Sequence, residues 1–417
     1  MFDARDVLYV GVDWADTAHR VIVLNAGRQV LHDWVVPHTG EGLTTFAARL
    51  VALTDGDAGR VAVALEMPRG PLVDALLERG CHVFAINPKQ SDRFRDRFSP
   101  AGAKDDRRDA RVLADALVTD RGAFRALTPE DPLVIRLREL SRVDAELQQE
   151  LRRLTNRLRA QLQRFYVQPL ALCPAADEPW LWALLALAPT PTAAARLREP
   201  RLVRLLRTHH IRRVTAAEVR AHLQRPALPV APGVTEAASS HVAVLLPQLH
   251  LLQQQRRACA PQIEQLLQQL AERPDAAEPQ REHRDVTILR SLPGVGKTVA
   301  ATMLAEASGP LAARDYHALR TQTGVAPVTQ ASGRRRVVQL RTACNRRLRQ
   351  AVYHWARVST QVDPLSRAHY TALRGRGHSH PRALRGVADR LLAVLIAMLR
   401  TGTLYDASYR RAATLVA

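Results

Sequence analysis

The sequence predicts a mixed α/β domain at the N-terminus, a long helical spacer, and an all-α domain at the C-terminus. Three observations predict it. Short β-branched runs alternate with amphipathic stretches over the first ~120 residues. Leucines then recur at heptad spacing from about 132 to 167. From about 286 to 400 a helical pattern runs on, broken once by the Gly/Pro/Ser-rich "TGVAPVTQASGRRRVV" at 323 to 338. The domains implied are 1–125, 130–285 and 286–400, in a chain of 417 residues that is long enough for each to bury a core.

Taken in order, "VLYVGVD" (7–13), "RVIVLN" (20–25) and "QVLHDWVV" (29–36) read as strands separated by short polar turns. That spacing suits an antiparallel meander, because parallel strands need a longer crossover. "GLTTFAARLVALT" reads as a helix and "RVAVALE" (60–66) as a buried strand. "GPLVDALLERG" reads as a helix closed by Gly80, and "HVFAIN" (82–87) as another strand. The next helix covers about 105–119. Three hairpin strands followed by alternating helices and strands is the order of a ribonuclease-H-like (RuvC-like) fold. In the spacer, Leu137, Leu140, Leu147, Leu151, Leu154, Leu158 and Phe165 occupy a and d positions of a coiled coil. The Leu/Gln-rich 242–270 suits a returning helix, kinked near Pro247 and Pro261. Between them, 170–235 is Pro- and Ala-rich with short helical pieces and carries no assigned task, and 271–285 reads as a linker.

There are 60 Lys+Arg against 40 Asp+Glu, a net charge of +20, and only Lys89, Lys104 and Lys297 are lysines. Such a field attracts polyanions, and the arginine fork matches phosphate oxygens. A GC-rich coding bias raises Arg and Ala together, but it need not leave so large a positive excess. Cys81, Cys173, Cys259 and Cys344 lie far apart, which indicates neither a zinc site nor a disulfide framework. The N-terminus lacks the pattern of a signal peptide, and "LLAVLIAML" (391–399) is too short to span a bilayer. A soluble cytoplasmic protein with no membrane partner is expected.

Asp13 ends the first strand and Glu66 the fourth. In a sheet of the order above these strands lie side by side, which brings both carboxylates to one edge. In "GAKDDRRDARVLADAL" (102–117), Asp106 and Asp109 are three apart and share a helix face. Asp105 points about 100° away from Asp106 and suits the helix start, where a carboxylate satisfies free N–H groups. Four converging carboxylates repel unless divalent cations neutralise them. Mg²⁺ prefers such hard oxygen ligands, and a pair of ions suits phosphodiester displacement.

"LPGVGKTVAATMLAE" (292–306) contains GKT, but a phosphate loop needs Gly five residues before Gly296, and that position is Ser291. The Gly294–Gly296 turn between helices, with Lys297, reads instead as a helix-hairpin-helix element whose N–H groups cradle a nucleic-acid phosphate. In "QASGRRRVVQLRTACNRRLRQAVYHWA" (330–356), Ser332 stands on a flexible loop beside Arg334, Arg335 and Arg336, with Arg346 and Arg347 following. A hydroxyl there could attack a phosphodiester while guanidinium groups stabilise the charge; the plainer reading of Ser-Gly is a turn.

The order of these motifs is GVD, a strand-end Glu, "NPKQ", "KDDRRDA", a helical spacer, "LPGVGKT" and "TGVAPVTQASGRRR" followed by "CNRRLRQAVYHWA". It resembles the DEDD-type insertion-sequence transposases, relatives of the Piv and MooV DNA invertases that are also described as bridge-RNA-guided serine recombinases. The resemblance covers roughly 7–120 and 285–360. It implies a metal-binding tetrad of Asp13, Glu66, Asp106 and Asp109, and Ser332 as the nucleophile of a covalent phosphoserine link to DNA. It further implies a tetramer in which one subunit's serine completes another's metal site, a bridge RNA as guide, and a nucleoid-associated bacterial setting. Where the family commonly has Lys-Thr/Ser-Asp, this chain has Lys104-Asp105-Asp106, which leaves Asp105 as the alternative third acid. Two other functions fit the same residues. One is a Holliday-junction-resolving nuclease with water as nucleophile; the other is a non-catalytic basic protein that binds nucleic acid.

Overall fold

The computed structural model describes residues 7–97, 105–273, 283–333 and 335–407. The chain forms two compact units, Met1–Asp131 and Pro132–Ala417. The first is built on β1 (Leu8–Asp13), β2 (Ala18–Leu24), β3 (Val30–Pro37), α1 (Gly40–Ala52), β4 (Val61–Leu65), α2 (Pro71–Glu78), β5 (His82–Ala85), α3 (Pro88–Asp96), α4 (Asp106–Asp120) and β6 (Arg125–Ala126). Its six strands lie in the order β3-β2-β1-β4-β5-β6. β1, β2 and β3 form the antiparallel meander, while β4 lies parallel to β1 and β5 parallel to β4.

Strand alternation divides the core in two. Val10, Val12, Val61, Val63 and Leu65 pack with Phe46 and Leu50 of α1 and with Leu72 and Leu76 of α2. Tyr9, Ile22, Ala62 and Ala64 face the other way and meet Ala110, Leu113 and Ala114 of α4. All five residues of β4 are buried, as a central strand covered by helices on both faces requires. Each of its valines and its leucine contributes roughly 1.5–3 kcal/mol by leaving water. Gly11 is where α4 comes closest to the sheet. A Cβ there would stand 1.9 Å from the Ala110 carbonyl oxygen and 2.5 Å from the Ala114 nitrogen.

In the second unit, α5 (Pro132–Phe165) runs out as a single helix of 34 residues. Five shorter helices follow: α6 (Gln168–Leu172), α7 (Pro179–Leu187), α8 (Pro191–Ala195), α9 (Glu199–Thr208) and α10 (Ala216–Leu223). The chain returns along α5 as α11 (Val234–Glu272). Leu137 packs with Ile263 and Leu267, Asp144 pairs with Arg256 at 3.1 Å, and Leu158 packs with Val242 and Leu245, so the two helices are antiparallel. The returning helix starts at Val234 rather than 242, and both Pro247 and Pro261 lie inside it. The helices between pack Trp180 and Trp182 into the same core as the far end of α5.

The C-terminal part comprises α12 (Asp285–Ser291), α13 (Lys297–Glu306), α14 (Ser308–Ala312), α15 (Tyr316–Gln322), β7 (Val328–Ser332), β8 (Arg335–Gln339), α16 (Arg346–Val362), α17 (Pro364–Gly375) and α18 (His380–Thr401). It is therefore helical but not all-α. The stretch read as a flexible loop contains an antiparallel hairpin, with Val328 opposite Gln339 and Ser332 opposite Arg335. Val328, Thr329, Val337 and Val338 favour extended backbone, and Gly333 takes the positive φ (55°) that a two-residue hairpin turn needs. Among the described residues, no helix is long and apolar enough to cross a membrane.

Candidate active site

Period-2 alternation fixes where the strand-end acids stand. Gly11 of β1 and Ala62 and Ala64 of β4 face α4, so Asp13 and Glu66, two residues further on, are on that same face. The β1–β4 register runs from Leu8 opposite Val61 to Val12 opposite Leu65, so Asp13 and Glu66 are the next pair. α4 runs antiparallel to β1. Its Asp115 pairs with Arg28 in the β2–β3 turn, at the opposite end of the sheet from Asp13. Asp106 is nine residues earlier, about 13 Å along the axis toward the Asp13 end.

Within α4, Asp106 lies on the stripe of Ala110, Leu113 and Leu117 that faces the sheet. Asp105 precedes the helix with extended backbone, and its carboxylate accepts from the Arg107 N–H, the N-cap role expected of it. Asp106 is exposed, and Asp109 is buried at 4% exposure. Lys104 lies outside the described residues.

These elements bring the four acids to one edge, but they do not draw three of them into mutual contact. Among the described residues, the group of His, Cys, Asp or Glu ligand atoms within 4.8 Å of one another is Cys173, Asp177 and Glu178. There Glu178 is already held by Arg213 at 2.7 Å, so a protein cation does the neutralising. As a donor set, the four acids of the sheet edge suit a hard cation. One atom supports that fit directly. Asp109 Oδ1 is buried without a hydrogen-bond donor, although Arg95 Nε of α3 lies 2.7 Å away in an unaligned ion pair.

Three features around the edge had no local sequence signal, because each joins residues distant along the chain. Arg95 is the first. The second is Asp33 of β3, which holds Arg20 at 2.6 Å and the Arg107 Nε at 2.5 Å, tying the first turn of α4 to the sheet. The third is His19, fully buried, whose Nδ1 accepts from the Ala15 N–H at 3.3 Å and whose Nε2 therefore donates to His38 at 2.9 Å. Burial, reinforced by His38, lowers the His19 pKa, which favours a neutral His19 as a clamp on the turn after Asp13.

Asp33 gives a pH prediction. Burial pushes its carboxyl upward, but the hydrogen bonds and charges of Arg107 and Arg20 outweigh that and hold it below the usual carboxylate range. Its folded pKa is thus below the unfolded value of about 3.9. The stabilisation is present above that pH and is lost as pH falls through the lower folded pKa. Asp33→Asn is expected to cost roughly 1–2 kcal/mol at pH 7, with the two proteins converging toward pH 2 in urea unfolding.

In the second unit, Ser332 is exposed at the end of β7, and Arg335 and Arg336 are exposed on β8. Arg334 lies outside the described residues. Asn345 caps α16 and also donates to Glu306 at 3.0 Å, which fixes the chain after the hairpin. Arg346 is exposed, whereas Arg347 reaches Glu146 at 3.0 Å. Gly294 has φ 83°, and a Cβ there would stand 2.8 Å from Ser359 Oγ of α16. Its absent side chain is thus a packing requirement, and Gly296 and Lys297 are the exposed part of that turn.

Two family models match the chain. A DEDD transposase model of the IS110 group, described as "Transposase", matches residues 10–167, and one described as "Transposase IS116/IS110/IS902 family" matches 286–371. Over 209 residues the chain is 49% identical to "Putative transposase y4uE" of Sinorhizobium fredii, which covers 50% of this chain and 58% of that protein. It is 30% identical over 414 residues to "Mini-circle putative transposase for IS117" of Streptomyces coelicolor, covering 97% of each. The chain belongs to the IS116/IS110/IS902 family of transposases. The transposase is also 31% identical, over 97% of each chain, to "Insertion element IS110 uncharacterized 43.6 kDa protein" of the same Streptomyces. The four acids of the transposase fall inside the first matched stretch, and Ser332 with its arginines inside the second.

Proposed function

We propose that this insertion-sequence transposase cuts and rejoins DNA through a covalent phosphoserine link at Ser332, with Asp13, Glu66, Asp106 and Asp109 holding Mg²⁺. The observation that carries the reading is the meeting of three elements at one sheet edge: the ends of β1 and β4 and the first turn of α4. On this reading the N-terminal unit is ribonuclease-H-like. Bound Mg²⁺ supplies charge neutralisation at the phosphate and at the departing oxygen.

The chain's own residues do the rest. Ser332 gives up its hydroxyl proton as Oγ forms a bond to phosphorus. The bond from phosphorus to one deoxyribose oxygen breaks, and that oxygen takes a proton to leave as a hydroxyl. Exposed Arg335 and Arg336 stabilise the added negative charge. Rejoining reverses the step when a deoxyribose hydroxyl attacks the phosphoserine. One ester replaces another each time, so no ATP is required. The turn at Gly296 and Lys297, as a helix-hairpin-helix element, takes a backbone phosphate. The working assembly is a tetramer in which Ser332 of one subunit serves the acidic edge of another, guided by a bridge RNA; the net charge of +20 suits both nucleic acids.

The test is a denaturing gel of protein incubated with Mg²⁺, labelled DNA spanning the element junction, and RNA from its flank. A protein–DNA adduct is expected for the wild type and none for Ser332→Ala. Cleavage without an adduct, unchanged by Ser332→Ala, would contradict the serine and point to water as nucleophile.

A further inference from the structure

The segment between the two matched stretches contains a strongly basic run away from the proposed chemistry. From 196 to 225 there are nine arginines and two acids, Glu199 and Glu218. Both acids are engaged. Glu199 faces Arg220 at 4.0 Å, and Glu218 accepts from the Thr215 N–H at 2.7 Å in a capping box. Within this segment α9 buries Leu202, Leu205 and Leu206, and it turns Arg201, Arg204 and Arg207 to solvent. None of the three arginines has an acidic partner among the described residues.

Helix stability does not account for that row. Like charges three apart on one helix repel, and Arg201 sits in the first turn, where the helix dipole disfavours a cation. The surroundings are positive too: beyond the effect of burial, the charges of His250, Arg257 and His210 lower the His209 pKa.

We propose that the solvent face of α9 is a docking surface for the phosphate backbone of duplex DNA, with Arg201, Arg204 and Arg207 as its contacts. The row spans about 9 Å, enough to meet several phosphates of a duplex that carries one charge per ~1.7 Å of axis. The other exposed residues of α9 are Glu199, Pro200, Val203 and Thr208, so it offers no aromatic ring on which unstacked bases would stack. Helical arginines without base-stacking groups fit a paired backbone. This inference rests on DNA as the partner of a transposase, and not on the chemistry assigned to Ser332.

The experiment measures binding of the full chain to a labelled DNA duplex by fluorescence anisotropy across salt concentrations. The triple variant Arg201→Gln, Arg204→Gln, Arg207→Gln is expected to flatten the slope of log K against log salt by about 2–3, near 0.9 for each phosphate that is no longer neutralised. The corresponding triple lysine variant keeps the charge and is expected to keep the slope. Should the glutamine triple fail to fold, Arg204→Gln alone is expected to flatten the slope by about 0.9. An unchanged slope in the folded glutamine variants overturns the proposal. So does a flattening seen with an RNA duplex of equal length but not with DNA, which would reassign the face to RNA.

Discussion

Replacing Asp106 by Asn is expected to lower the rate of DNA cutting by at least about 10³ while leaving DNA affinity within about twofold. A cation clamp at a phosphoryl centre is worth several kcal/mol in the transition state, and about 4 kcal/mol corresponds to that factor. The substitution keeps the shape and removes the charge, so a loss reports on ligation rather than packing. Asp106 is the residue to change because it shares the sheet-facing stripe of α4 with Ala110 and Leu113. Asp105 provides the contrast. Its carboxylate is spent on the Arg107 N–H, so Asp105→Ala should cost about 0.5–2 kcal/mol of stability and leave the cutting rate near that of the wild type. Cleavage rates under single-turnover conditions, alongside urea unfolding, separate the two outcomes. The reverse pattern would make Asp105 the third acid.

The second large effect is expected at Gly11. Any side chain there meets backbone, since the Ala110 carbonyl oxygen and the Ala114 nitrogen stand 1.9 and 2.5 Å from where a Cβ would be. Backbone of a helix cannot rotate aside as a side chain can, so α4 must lift from the sheet. Gly11→Val should therefore destabilise the N-terminal unit by about 3 kcal/mol or more. It should also slow cutting by about 10² in whatever fraction remains folded, because α4 carries Asp106 and Asp109, and a shift near 1 Å at a reacting centre costs that much. Wild-type stability and rate in this variant would mean that α4 does not seat on β1 as described.

Much of this edge was legible in the sequence, for definite reasons. Strand ends at Asp13 and Glu66 follow from alternation and from a meander that leaves β1 beside β4. The Asp105 cap and the Asp106 face follow from helical periodicity within one short segment. What could not be read is pairing between segments. Nothing local marks Arg95 as the partner of Asp109, or Asp33 as the bridge between Arg20 and Arg107. The hairpin at Ser332 was hidden because its glycine stands beside a serine and an arginine rather than in an Asn-Gly or Asp-Gly turn. The short helical pieces of the Pro-rich stretch were legible for a local reason. Pro169, Pro179, Pro191 and Pro200 sit in the first turns of α6, α7, α8 and α9, where a missing N–H costs nothing, so those prolines start helices instead of breaking them.

On the proposed reading, β1, β4 and α4 together build a cation-binding edge. The most direct measurement is calorimetric titration of Mn²⁺, which takes the same oxygen ligands, into the wild-type chain and into Asp106→Asn. Saturable binding by the wild type is expected, with a loss of at least about tenfold in affinity, about 1.4 kcal/mol, in the variant. Identical isotherms for the two proteins would contradict it, and Asp106 would then be a surface residue of α4 with no part in holding metal.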